Sequence, residues 1–83
     1  FWKQRMKEFL TFLVKNLVNH PDDVSVEEKI DSTGYILLEL KVNPEDIGLI
    51  IGKAGKVIKS LRNLVKVKAI VEQKRVNITL IEN

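Results

Sequence analysis

Residues 50 to 58 read Ile50-Ile51-Gly52-Lys53-Ala54-Gly55-Lys56-Val57-Ile58, two glycines three positions apart between runs of branched apolar side chains. Apolar flanks must be buried, so ordered structure is expected on both sides, and the glycine pair interrupts any helix that runs through it. Glycine reaches torsions closed to other residues and carries no Cβ to hold a partner away. A phosphate can therefore approach the main chain at this point.

Charge is partitioned around the same segment. Residues 1 to 21 carry +3, residues 22 to 46 carry −6, residues 47 to 71 carry +6 without one acid, and residues 72 to 83 balance. The six cations are Lys53, Lys56, Lys59, Arg62, Lys66 and Lys68. The formal net charge of +3 conceals this block, which is the electrostatic footprint of a polyanionic partner.

A chain of 83 residues bounds the fold to one domain, 1–83, with a modest core and little room for a buried catalytic cavity. The absence of cysteine excludes disulfides and thiolate metal sites, and the single His20 assembles no metal cluster. A reducing, cytoplasmic setting is expected. No apolar run approaches the roughly 20 residues that span a bilayer. Phe1 to Arg5 precede Met6, the one methionine. Residues 1–5 are read either as an addition ahead of an original start or as the end of a segment whose start is missing.

Periodicity supplies the elements. From 6 to 18, Met6, Phe9, Leu10, Leu13, Val14, Leu17 and Val18 share a broad helical stripe. Pro21 should end that helix near Asn19. Val24, Val26 and Ile30, the turn Asp31-Ser32-Thr33-Gly34, and Ile36, Leu38, Leu40 and Val42 on one face predict a hairpin. Asn43-Pro44-Glu45-Asp46 carries a helix start: a capping residue, proline at the first position, and acids favoured by the dipole. A short helix to about Ile51 follows. After the glycine loop, a helix from about Gly55 to Ala69 places Val57, Ile58, Leu61, Leu64 and Val65 on one side and Lys56, Lys59, Arg62, Asn63 and Lys66 on the other. Val76, Ile78 and Leu80 alternate through a last strand, giving the order α-β-β-α-α-β.

The Ile-Ile-Gly-x-x-Gly-x-x-Ile run between two helices resembles the signature of the KH domain, and the element order resembles its type II topology. His20-Pro21-Asp22-Asp23, Asn43-Pro44-Glu45-Asp46-Ile47-Gly48 and Lys74-Arg75-Val76-Asn77 are similar to runs in small stand-alone bacterial KH proteins of the KhpA type. The resemblance covers about Met6 to Glu82. It implies an α+β fold: a three-stranded sheet with helices packed on one face.

It also implies an RNA chaperone or post-transcriptional regulator that grips single-stranded RNA with low sequence selectivity, since the glycine loop of a KH domain clamps the backbone of about four nucleotides. Carried over, Gly52, Lys53, Ala54 and Gly55 meet the sugar-phosphate chain. Lys53 offers an ammonium, Ala54 is small enough not to obstruct, and the helix start behind them adds amide donors. Ile47, Ile51 and Ile58 floor a groove for bases, with a wall around Leu38 and Leu40, and Lys56, Lys59 and Arg62 continue the phosphate track. No cofactor is implied.

Plainer readings stand beside these. The glycines could merely end one helix and open the next, the basic face could be only solvated, and the three isoleucines all belong partly to the core. His20 reads as an ordinary residue near a helix end. Asp22, Asp23, Glu27, Glu28 and Asp31 lack calcium-loop spacing and suit a solvated strand edge. Gly52-Lys53 lacks the earlier glycine and the following Ser or Thr of a nucleotide-binding loop. With no metal cluster and no nucleophile beside an activating base, catalysis is not expected.

Phe12 interrupts the polar side of the first helix, with Phe1 and Trp2 ahead of it, so an apolar strip either packs within the domain or forms an interface. KH proteins of this type, by the resemblance, pair with themselves or with a larger Jag-type KH partner. The alternative function is a protein-interaction domain whose RNA binding is weak or absent. The pair Lys53-Ala54 separates the two, because acids there would repel phosphate.

Overall fold

Met6, Leu10 and Val14 recur one turn apart and lose nearly all their surface to the core, which makes Met6–Lys15 the first helix, α1. The computed structural model describes residues 6–82; the expected contributions of Phe1 and Trp2 lie outside them. The helix ends a turn before the sequence pattern does. Asn16 and Leu17 donate to Leu13 and Val14, tightening the final turn to i−3 spacing. The amides of Asn19 and His20 go instead to the carboxylate of Asp46, 3.3 and 2.9 Å away.

The hairpin is strand β1, Ser25–Ile30, antiparallel to β2, Tyr35–Lys41. Its turn is held by Asp31, whose Oδ1 accepts from the Thr33 amide, the Thr33 hydroxyl and the Tyr35 amide at 2.8, 2.6 and 3.0 Å. In β2 every second residue is buried: Ile36, Leu38 and Leu40, followed by Val42. Ile30 shares their face yet is 60% exposed, because it lies at the far end of an edge strand.

Asn43 caps as expected, accepting from the Glu45 amide at 2.8 Å, and Pro44 opens a single 3-10 turn over Pro44–Asp46. Helix α2 is Ile47–Ile51, a tight turn spans Lys53–Gly55, and α3 is Lys56–Val71. Strand β3, Arg75–Ile81, pairs parallel to β2, giving the order β1-β2-β3. A parallel neighbour needs a crossover, and α2, the loop and α3 supply it. The result is the α+β arrangement expected, with α1 and α3 packed on the face carrying Val26, Leu38, Leu40, Val76 and Ile78. The other face bears Lys29 paired with Glu39 at 3.0 Å, and Arg75 5.7 Å from the Tyr35 ring.

One part of the helical wheel is displaced. Ile58, Leu61, Val65 and Ala69 form the buried side of α3, while Leu64 is 48% exposed. Leu64 lies at the rim of the apolar stripe, on the wall of an open groove between α1 and α3.

Candidate nucleic-acid interface

Gly52 and Gly55 meet different demands. The Gly52 amide closes α2 on the Gly48 carbonyl at 2.9 Å with φ 71° and ψ 176°, a region left almost entirely to glycine. A Cβ there would overlap Val57 Cγ2 and stand 2.8 Å from Val57 Cβ. Gly55 also has positive φ, 73°, but a Cβ on it would meet no atom within 4 Å. Ending α2 accounts for Gly52, and opening α3 from a left-handed N-cap accounts for the torsion of Gly55. Gly55 faces open space.

Lys53 and Ala54, between them, are exposed, and Ala54 is itself left-handed at φ 56°. No side chain caps α3. A 16-residue helix therefore begins beside the loop with its first amides and positive dipole end unoccupied by a side chain.

The six cations do not make one row. Successive residues of a helix turn by about 100°, so Lys56 stands on the lip of a groove between α1 and α3, whereas Arg62 lies on the flank toward β3. There its Nε and Nη2 both sit 3.4 Å from the Ile78 carbonyl. Lys59 and Lys66 are exposed one turn either side of Arg62. Lys68 is engaged inside the protein, 5.6 Å from the Phe9 ring and 3.0 Å from Glu72.

The expected groove is narrower than its sequence outline. Ile47 and Ile51, one turn apart on α2, are half-buried, and Ile58 retains 8% of its surface. Leu38 and Leu40 have none, because β2 is the central strand beneath the helices. They cannot wall an open groove. Leu49, not singled out from the sequence, is exposed beside it.

Asp46 ties this region to α1. It is wholly buried, and its Oδ2 lies 3.1 Å from His20 Nδ1 in addition to the two backbone bonds. Burial pushes its carboxyl upward, but the bonds from His20 and Asn19 outweigh that and hold it below the ordinary aspartate range. Beyond the dipole-favoured position its place in the helix start implies, the acid is an internal bracket between the end of α1 and the start of α2. Among the described residues no cluster of three potential metal ligands occurs, and no helix is long and apolar enough to cross a membrane.

An apolar groove of about 400 Å³ runs between α1 and α3, lined by Leu13, Leu17, Val57, Leu61 and Leu64. Phe12 is 62% exposed on the far side of α1, so it does not pack into the domain.

The chain matches the model of the KhpA/KhpB KH domain over residues 7–80. It is 46% identical over 76 residues to the RNA-binding protein KhpA of Clostridium perfringens, covering 92% of this chain and 100% of that one. With the RNA-binding protein KhpA of Chlamydia pneumoniae it shares 43% over 77 residues, covering 93% and 97%. Among solved structures it resembles Era in complex with MgGDPNP and nucleotides 1506–1542 of 16S ribosomal RNA, with a TM-score of 0.63 and 20% identity, covering 90% of this chain. The chain spans 28% of that Era chain, so the likeness concerns the fold of one part. The fold, the paired glycines and the full-length relatives agree: the chain belongs to the KhpA/KhpB KH-domain family.

Proposed function

We propose that this chain is a non-catalytic, single-stranded RNA-binding protein of low sequence selectivity, acting in the cytoplasm as an RNA chaperone or post-transcriptional regulator. Gly52, Lys53, Ala54 and Gly55 clamp the sugar-phosphate backbone. Bases lie against Ile47 and Ile51, with Ile58 as the support beneath them, and Lys59 and Arg62 attract the strand as it leaves the loop. Lys56 serves from the opposite side. The observation that carries this reading is the empty space around Gly55 beside an exposed lysine and an uncapped helix start. It is supported by full-length relatives that are named RNA-binding proteins. Fluorescence anisotropy with a labelled single-stranded RNA tests it: Lys53→Asp with Ala54→Asp should abolish binding while circular dichroism stays unchanged, and equal affinity would refute the clamp.

We infer in addition that the protein works as an assembly, a homodimer or a heterodimer with a Jag-type KH protein. Leu64, Val67 and Val71 are exposed at helical spacing along α3 and continue the groove against α1. One four-nucleotide groove gives modest affinity, and a second raises it through effective concentration.

A further inference from the structure

At the end of α3 remote from the glycine loop lies a hollow of about 210 Å³, lined by Lys66, Ala69, Ile70, Lys74, Arg75 and Val76. Ile70 is about 22 Å along the helix axis from Gly55, at 1.5 Å per residue. We propose that this hollow is a second contact site for the same RNA strand, so that the bound segment extends beyond the four nucleotides held at the loop. The proposal rests on the RNA-binding reading above and lengthens its footprint.

Three features give the hollow the chemistry of a nucleotide. Lys66, Lys74 and Arg75 place three cations around it, and Lys66 makes no ion pair among the described residues. Ile70, 72% exposed, and Ala69 form an apolar floor on which a base can rest while its phosphate meets the ammonium groups. The route to it is charged as well, since Lys59, Arg62 and Lys66 follow one flank of α3 toward β3.

The outer edge of β3 is prepared along that route. At Ile78 the outward amide is not free to donate to another chain, because it donates to Asn77 Oδ1 at 2.9 Å, and the carbonyl is approached by Arg62. The strand edge is thus closed to another β-strand there while the flank stays cationic.

Groups that oppose an anion are themselves occupied. The terminal carbonyls of α3 accept from following amides: Ala69 from Lys74 at 2.7 Å and Ile70 from Gln73 at 3.0 Å. Glu72 is held by Lys68 at 3.0 Å and stands 3.9 Å from Lys74. Asp31, which lies in the field of Arg75, bonds to Thr33 and Tyr35.

The test compares oligouridylates of four and about ten nucleotides, by anisotropy over a salt series, on the native chain, on Lys66→Gln/Lys74→Gln and on the loop variant Lys53→Asp/Ala54→Asp. The expected result is tighter binding of the longer oligomer by the native chain. For the Lys66/Lys74 variant it is a loss of roughly five-fold or more on the longer oligomer alone, with the log-log salt slope shallower by about 1.4 for two lost phosphate contacts. Equal affinity of the native chain for both lengths overturns the proposal, as does an unchanged slope in the Lys66/Lys74 variant. A native chain that binds neither oligomer overturns both the proposal and the RNA-binding reading. A loop variant that keeps the longer RNA, while the Lys66/Lys74 variant loses it, overturns the loop clamp and leaves the distal site standing.

Discussion

Gly52 rests so closely on Val57 that a methyl group at the glycine would come within 3.0 Å of the Val57 backbone nitrogen and 2.8 Å of its Cβ. Gly52→Ala adds this overlap to a torsion closed to alanine, and about 2 kcal/mol or more of stability should be lost. Gly55→Ala pays only for the left-handed torsion, about 1 kcal/mol. Urea unfolding of the two variants checks the ranking, and equal losses would contradict it.

Under the proposed clamp, salt dependence reads the number of phosphates held. Three contacts with a single strand predict a log-log slope near −2, at roughly −0.7 each. The Lys53→Asp/Ala54→Asp variant suits the purpose because Asp tolerates the left-handed torsion found at Ala54, so fold and charge are separated. A slope near zero in the native protein would mean that binding, if any, is not to the backbone.

Acid should weaken the bracket at Asp46. Its folded carboxyl is held below the ordinary aspartate range, so it binds a proton less readily folded than unfolded. The stabilisation is in full above the unfolded value and is lost as pH falls through the folded one. Asp46→Asn should melt lower than the native protein at neutrality, and the gap should close in acid. A gap constant with pH would show that the carboxylate's charge plays no part.

Gln73 occupies the left-handed position that follows α3, at φ 58°, where glycine is preferred. The Lys74 amide reaches Ala69 and the Gln73 amide reaches Ile70, the paired bonds of a helix terminus of that kind. Gln73→Gly should gain about 0.5 kcal/mol after the entropic cost of glycine, or roughly 2–4 °C in Tm. A lower Tm would imply that the Gln73 side chain has a contact of its own.

Assembly, if it uses α3, should respond to Leu64→Glu and not to Phe12→Glu. Leu64 belongs to the aliphatic row that continues the α1–α3 groove, whereas Phe12 stands among Lys7, Glu8, Thr11 and Lys15. Sedimentation equilibrium should give the Leu64 variant a monomer mass at concentrations where the native chain associates. The opposite pattern would move the interface to α1.

Much of this was legible because it is local. Alternation in Tyr35–Lys41, the cap at Asn43 and the stripe of α1 depend on neighbours within a turn or two, and all formed, with α1 stopping a turn short of its stripe. Asp46 was not legible, since its partners Asn19 and His20 lie 27 and 26 residues away and nothing in a dipole-favoured acid marks it for burial. The resemblance placed a groove wall around Leu38 and Leu40, and alternation in β2 could not correct it, because the same pattern suits an edge strand with an open flank and a central strand with none. Lys66 had a local signal, four positions after Arg62, but its neighbours Lys74 and Arg75 come from the turn after α3 and the start of β3.

Tyr35 pairs with Arg75, forty residues onward, while Ile30 pairs with Ile36 across a turn. The hairpin can zip early, but the parallel half of the sheet must wait for the whole crossover, which is the slow, high-contact-order step of the fold. The glycine loop sits inside that crossover. A chain made from its N-terminus presents the basic segment before Arg75–Ile81 exists to dock, so a polyanion beside the nascent chain meets those cations before the sheet is complete.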